Sequence, residues 1–306
     1  MKKLKLQKIV EFLLLISLAY IPFVPTLRSL DLIGPQFLYL SITQLFFSLY
    51  FLFNKKYREK KISPSIPFFF ALLFLIICFF SIFWSFNYSE AIIDFSRHLI
   101  IIIAFGNIVN LLSFNRKYKY YVISLLIIML TIESSIIFKI FLENYSYLKG
   151  LGRIRDLQGL SSNQNVSAFS ILIKVPLIIY GIYKTNYRLL KILLYIPLTI
   201  SFFCILIIGS RGALVSLYMV MILFFGFIFF QNKITKVQLP LKFKKVIFTS
   251  ALLFLITSVV QTSLYKNNET LQSINRIGSI ANQNDESVSK RSRYYLQAIN
   301  SILKNP

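Results

Sequence analysis

Arginine recurs wherever this sequence could do chemistry. Arg211 stands in Gly209-Ser210-Arg211-Gly212, a short polar link between two apolar runs, Leu189–Ile208 and Ala213–Phe230. Each run is long enough to cross a bilayer, which takes about 20 residues at about 1.5 Å rise. So short a link predicts a tight helical hairpin with Arg211 at its tip. A guanidinium costs roughly 2.5–3.5 kcal/mol at the bilayer centre, and less when it snorkels toward the headgroups. Glycines on both sides permit a sharp turn and close approach of backbone to a ligand. The second helix opens with unpaired N–H groups beside Arg211, and such groups favour an anion. A planar, fork-shaped cation next to them suits phosphate. A glycine turn with an arginine anchored at the headgroups accounts for the same residues without a ligand.

The elements that must hold this tip are membrane spans. Apolar runs recur from end to end of the 306 residues, 31 of which are Phe, and the mean hydropathy is +0.67. No soluble domain needs so many runs, so the expected class is an all-α, polytopic membrane protein. The pattern predicts nine spans, at 9–27, 32–53, 66–86, 97–113, 120–142, 165–183, 189–208, 212–230 and 245–264. Residues 1–264 then form a transmembrane domain, and 265–306 begin a large extracytoplasmic loop. The apolar run after Lys2, Lys3, Lys5 and Lys8 is longer than the core of a signal peptide and no small-residue cleavage site follows, so it reads as the first span.

The net charge of +23 is placed as a topology signal. Basic residues cluster between apolar runs, not along one face, so no nucleic-acid partner is expected. The connections 1–8, 54–65, 114–119, 184–191 and 231–245 hold more than half of the 34 Lys and Arg residues, while 28–31, 87–96 and 209–211 hold few. The positive-inside rule therefore puts the N-terminus in the cytoplasm. Cys78 and Cys204 lie inside apolar runs and read as small buried hydrophobes. With a single His besides, no metal site and no cofactor are expected.

In that orientation the outward connections are 87–96, the Gly-, Asn- and Ser-rich 143–164, and the polar segment after Leu264. They carry Arg153, Arg155, Arg211, Arg276, Arg291 and Arg293, which the charge rule would not place there. An anionic substrate held at the outer surface explains them. So, for the late segment, does the tolerance of long loops for any charge. Within the spans, Glu133 and Lys174 lie about 18 Å and about 15 Å from opposite ends of two consecutive antiparallel helices, so their depths nearly coincide. That predicts a structural ion pair, with an ion or proton relay as the alternative. His98 follows Asp94 by one helical turn, which would orient an imidazole as a base or leave it a surface anchor.

Together these segments resemble the O-antigen ligase and polymerase superfamily of bacterial membrane glycan transferases. Gly209-Ser210-Arg211-Gly212-Ala213 looks like that family's "SRGA" signature. Asn163-Gln164-Asn165-Val166-Ser167-Ala168 looks like its "NPN..A" element, which follows an Arg and a Gly matched here by Arg155, or Arg153, and Gly159. Arg291 to Ala298, followed by Pro306, is similar to the family's "R...W..A.......P". Gln164 replaces the usual proline and Tyr295 the usual tryptophan. Family members continue past this point into a glycine motif, a histidine that is the presumed base of the ligases, and further spans; on that comparison the chain reads as a truncated or interrupted member.

The resemblance implies transfer of a polyprenyl-diphosphate-linked glycan to an acceptor glycan or lipid A core at the outer face of the bacterial plasma (inner) membrane, in contact with membrane lipids. It makes Arg211, with Arg155 or Arg153, the expected diphosphate ligands. Asn165 would donate to a phosphate or sugar hydroxyl, and Arg291 would close over the site. A lipid-linked oligosaccharide flippase is the rival, and an inactive remnant the third reading. A flippase predicts charges lining a cavity open to both faces; a transferase predicts arginines gathered on the outer face.

Overall fold

In a computed structural model of the protein the described residues are 2–25, 31, 33–58, 66–114, 117–145, 157–161, 163–234, 240–265 and 286–304. Among them there is no strand, and nearly all are helical. The helices are α1 (Lys2–Tyr20), α2 (Gly34–Phe53), α3 (Ile66–Ser81), α4 (Tyr88–Phe114), α5 (Tyr118–Glu143), α6 (Gln164–Lys184), α7 (Arg188–Ile208), α8 (Arg211–Ile234), α9 (Leu241–Leu264) and α10 (Glu286–Lys304). Seven of them, α2 to α7 and α9, are long and apolar enough to cross a membrane, with α3 extended to Trp84. α8 contributes a shorter apolar stretch, Arg211–Phe227, and α1 has lysines in its first two turns.

One boundary differs from expectation in a way that matters. The polar segment 87–96 was expected as a connection, yet α4 runs through it from Tyr88. Asn87 explains this, because its side-chain oxygen accepts the Glu90 N–H at 3.3 Å and its carbonyl accepts the Ala91 N–H at 3.0 Å. That is an N-cap, and Glu90 in the first turn adds a favourable charge at the helix start. Polar residues here begin a helix rather than interrupt one.

The chain packs as two compact units, 1–126 and 127–306, with the division inside α5. It is distinct from the expected boundary at 264/265, which separates membrane from loop rather than one packing unit from another. In the first unit α2 packs against α1 and α4, and α4 against α3. Its core gathers Leu15, Phe47, Phe51 and Leu111 with Tyr57 and Tyr118. Tyr57 belongs to a single helical turn, Lys55–Arg58, just after α2.

That core encloses a carboxylate. Glu11 is 1% exposed. It accepts hydrogen bonds from the Tyr50 hydroxyl at 3.0 Å, from the Tyr57 and Tyr118 hydroxyls, and from Gln7 Nε2 at 3.2 Å. Burial first, and then the bond to Glu11, push the Tyr57 phenol far above its ordinary range. It therefore stays protonated and keeps donating.

In the second unit α6 packs against α7, α8 and α9, and α7 packs against α9. Glu133 of α5 meets Lys174 of α6, with Nζ 2.8 Å and 2.7 Å from the two carboxylate oxygens. Ser170, one turn before Lys174, donates to Glu133 at 3.0 Å and lies 2.7 Å from the ammonium. The expected ion pair is present, both partners are buried, and the serine completes it. Further along α6, a Cβ on Gly181 would come within 2.9 Å of Ile127 Cδ1, so the absence of a side chain lets α5 and α6 approach.

Candidate functional site

The tip between α7 and α8 is a rigid turn. Gly209 takes φ +62°, the left-handed conformation that favours glycine, and its N–H closes the last turn of α7 on the Ile205 carbonyl at 3.1 Å. Ser210 starts the next helix at once, its carbonyl accepting the Leu214 N–H at 2.9 Å. Arg211 is thus the first residue of α8 and is half-buried. Ile208, Ala213 and Leu214 are fully buried around it, so packing reaches to the tip itself.

The placement of Arg211 has an electrostatic cost. A helix N-terminus carries roughly +0.5 of an elementary charge, and cations are stabilising at the other end. A guanidinium in the first turn faces a charge of its own sign. An anion lying between the two would convert that repulsion into attraction from both sides.

The tip meets a second motif. A Cβ on Gly212 would lie 3.1 Å from Phe169 Cζ, so the start of α8 is set against α6 at that ring. Phe169 is five residues into α6, about 7.5 Å along its axis from Gln164. The two segments that sequence reasoning singled out, 209–213 and 163–168, therefore lie at the same end of the second unit.

Local chemistry explains how α6 starts there. Asn163 is its N-cap, with Oδ1 accepting the Asn165 N–H at 2.8 Å. The Ser161 and Ser167 hydroxyls meet at 2.6 Å, Ser161 also reaches the Asn163 carbonyl at 2.7 Å, and Ser167 donates to the Gln158 carbonyl. Leu157 is fully buried. Gly159 has φ +62°, and a Cβ there would sit 2.8 Å from Ile137 Cγ1. Residues 157–161 are therefore held between the start of α6 and Ile137 of α5. The Gln164 side-chain oxygen is buried and finds no hydrogen-bond partner among the described residues.

Of the expected site residues, Arg211 and Asn165 are brought to this end, Asn165 exposed in the first turn of α6. Arg153 and Arg155 lie outside the described residues, as does Arg276. Arg291 falls within α10. His98 does not meet the Asp94 carboxylate. Its Nδ1 lies 2.7 Å from the Asp94 backbone carbonyl, while the carboxylate pairs with Arg97 at 3.2 Å, which also pairs with Asp31. Asn163, Ser161, Ser167 and Ser170 were missed as positioning residues. The Ser-Ser-Asn run just before an apolar stretch is an N-cap signal that marks two of these, Ser161 and Asn163.

The fold and this site describe a multi-pass, all-helical membrane protein with a rigid arginine-bearing hairpin tip. The family model described as O-antigen ligase matches residues 196–306. The match takes in most of α7, the tip, α8, α9 and α10, and supports membership of the O-antigen ligase and polymerase family. The match also supports O-antigen ligase-type glycan transfer, with lipid-linked glycan substrates, in general terms. No curated protein and no solved structure matches the chain.

Proposed function

We propose that the protein transfers a polyprenyl-diphosphate-linked oligosaccharide or polysaccharide to an acceptor glycan, such as another repeat unit or a lipid A core, at the outer face of the bacterial plasma membrane. One observation carries this reading. Gly212, in the first turn of α8, is set against Phe169 of α6, which brings the segments of Arg211 and Asn165 to the same end of the second unit; in this reading the two residues share one diphosphate. In this reading α1 and α8 also cross the bilayer, giving nine spans with a cytoplasmic N-terminus. Residues 265–306 then belong to the outward loop.

The chemistry requires little beyond charge placement. The acceptor hydroxyl oxygen attacks the anomeric carbon, the bond from that carbon to the diphosphate breaks, and the polyprenyl diphosphate leaves with the electron pair. The hydroxyl proton passes to a base or to water. Arg211, with Arg155 or Arg153, stabilises the negative charge that develops on the leaving group, and preorganised donors of this kind are each worth about 10²–10³ in rate. Asn165 orients a phosphate or sugar hydroxyl, the Gln164 oxygen accepts from another, and Arg291 closes over the lipid-linked donor.

Cells lacking the gene should accumulate lipid-linked glycan and lose its polymer or ligated product. Wild type should restore the product. Arg211→Ala, expressed to the same level, should leave it about 10²–10³-fold down, and Arg211→Lys should recover only part because the fork is lost. Full rescue by Arg211→Ala would remove this site from the mechanism. The orientation has its own check at the other end of α7, where Tyr187 is 78% exposed. In a chain with Cys78 and Cys204 replaced, Tyr187→Cys should react with an impermeant thiol reagent only after permeabilisation; labelling of intact cells would reverse the topology.

A further inference from the structure

Helix α10 has two faces, and its residues from Arg293 to Ser301 pack on neither side. Over α10, at about 100° per residue, Tyr295, Leu296, Ile299, Ile302 and Leu303 fall within about one third of the circumference. Lys290, Arg293, Gln297, Asn300 and Lys304 fall on the opposite side. Every residue from Arg293 to Ser301 is exposed, and Leu296, Ile299 and Leu303 are 60%, 52% and 73% exposed. Ser292 is the one polar residue in the apolar third, which carries no charge, and a division of this kind has no use in a helix that water surrounds.

Three things could cover the apolar third: a bilayer surface, another segment of this chain, or a second copy. The charge pattern selects the bilayer. Along α10 one acid, Glu286, stands against Lys290, Arg291, Arg293 and Lys304, which complements anionic headgroups. A strongly two-faced helix of low overall hydrophobicity with a basic polar face is the composition that lies in the headgroup region rather than crossing it. Tyr294 and Tyr295 suit that depth. The chain is already tethered there, since the apolar helix α9 ends at Leu264, about two dozen residues before α10 begins.

We propose that α10 lies flat in the membrane interface, its apolar third at the headgroup–acyl boundary of an anionic leaflet. One consequence follows for the site. By register Arg291 falls at the edge of the apolar third, apart from the other basic positions, so in this orientation it stands level with the lipid phosphates. That step rests on the transferase reading; the orientation of α10 does not.

The test uses the full chain, with Cys78 and Cys204 replaced and one spin-labelled cysteine introduced at a time. The protein is reconstituted in vesicles of phosphatidylethanolamine mixed with phosphatidylglycerol. Labels replacing Leu296, Ile299 and Leu303 should collide with oxygen dissolved in the lipid and avoid a water-soluble nickel chelate. Labels replacing Gln297 and Asn300 should do the reverse, by roughly tenfold in the ratio of the two. In vesicles of phosphatidylcholine alone the contrast should shrink, because the basic face loses its partner. Equal exposure of both sets to the chelate would overturn the proposal. Shielding of Leu296, Ile299 and Leu303 from both reagents would also overturn it, in favour of protein packed on that face. Arg211→Ala should lower transfer about 10²–10³-fold and keep the collision pattern, so a failure of the site and a failure of the helix orientation are read separately.

Discussion

Among the described residues each unit of the molecule buries one carboxylate, and the two are satisfied by different means. Glu133 meets a charge: Lys174 lies within 2.8 Å of both its oxygens, and Ser170 donates to one of them. Among the described residues Glu11 meets neutral donors, three phenols and an amide. Position explains the choice. Glu133 lies well inside a helix apolar enough to span the bilayer, where a lone carboxylate has no water and a counter-charge is the most effective compensation. Glu11 lies where α1, the Lys55–Arg58 turn and the first residue of α5 converge, and the hydroxyls of Tyr57 and Tyr118 are supplied by those segments. The first device fixes the register of two helices. The second ties α1 to α2, to the short turn after α2 and to the start of α5.

The comparison predicts that an ion pair breaks harder than a ring of neutral donors. Lys174→Ala leaves Glu133 buried without its partner and should cost about 3–5 kcal/mol, seen as loss of folded protein in membranes and a lower unfolding temperature in detergent. Glu133→Ala in the same chain should restore a good part of that, because the pair itself contributes less than its rupture costs. Purely additive losses would mean the two do not act as a unit. Since α6 carries Asn163 and Asn165 at its start, the single variant should also lower transfer, and the double should recover both together. Glu11→Gln keeps the size and one acceptor oxygen, so about 2 kcal/mol is expected, from weakened bonds to the phenols. A larger loss than that of Lys174→Ala would invert the comparison.

The same contrast shows what one sequence can disclose. Glu133 and Lys174 stand out because charges are rare in apolar runs, and a depth count along two consecutive antiparallel helices pairs them without further information. The hairpin tip was legible for a similar reason: Gly209 and Gly212 punctuate two long runs, and Arg211 stands between them. Glu11 was not legible. Its position beside the N-terminal lysines reads as ordinary boundary chemistry, and its partners at 50, 57 and 118 are set by helix packing that no local pattern encodes. The start of α4 was missed because Glu90 and Asp94 look like loop residues until Asn87 is read as a cap. Seven helices satisfy length and composition for a span; α1 falls short through its lysines and α8 through the length of its described apolar stretch, so a count from apolar runs alone reaches further than the described helices do. Of the site, the juxtaposition of the tip with the start of α6 required the fold, since the Phe169–Gly212 contact joins residues far apart in sequence.

The smallest effect isolates a single donor. Tyr57→Phe keeps the ring, which lies tilted with its centroid 4.7 Å from that of Phe51 and 4.1 Å from that of Phe114, and removes only the hydroxyl. The expected loss is about 1.5 kcal/mol, the low end for a hydrogen bond to a charged group, because the other donors remain. It should also depend on pH with a definite sign. The folded phenol holds its proton more tightly than the ordinary tyrosine value of 10.0, so below that value both states are protonated and the stabilisation is complete. Above it the unfolded chain gives up the proton while the folded one retains it, and the contribution declines as pH rises. Unfolding of the full chain in detergent at about pH 8 and about pH 11 should therefore show wild type losing more stability than Tyr57→Phe, the difference reporting this one hydroxyl. Identical losses in the two proteins would mean that Tyr57 fills space beside Glu11 without sustaining it, and that two phenols, not three, answer the buried charge in the first unit.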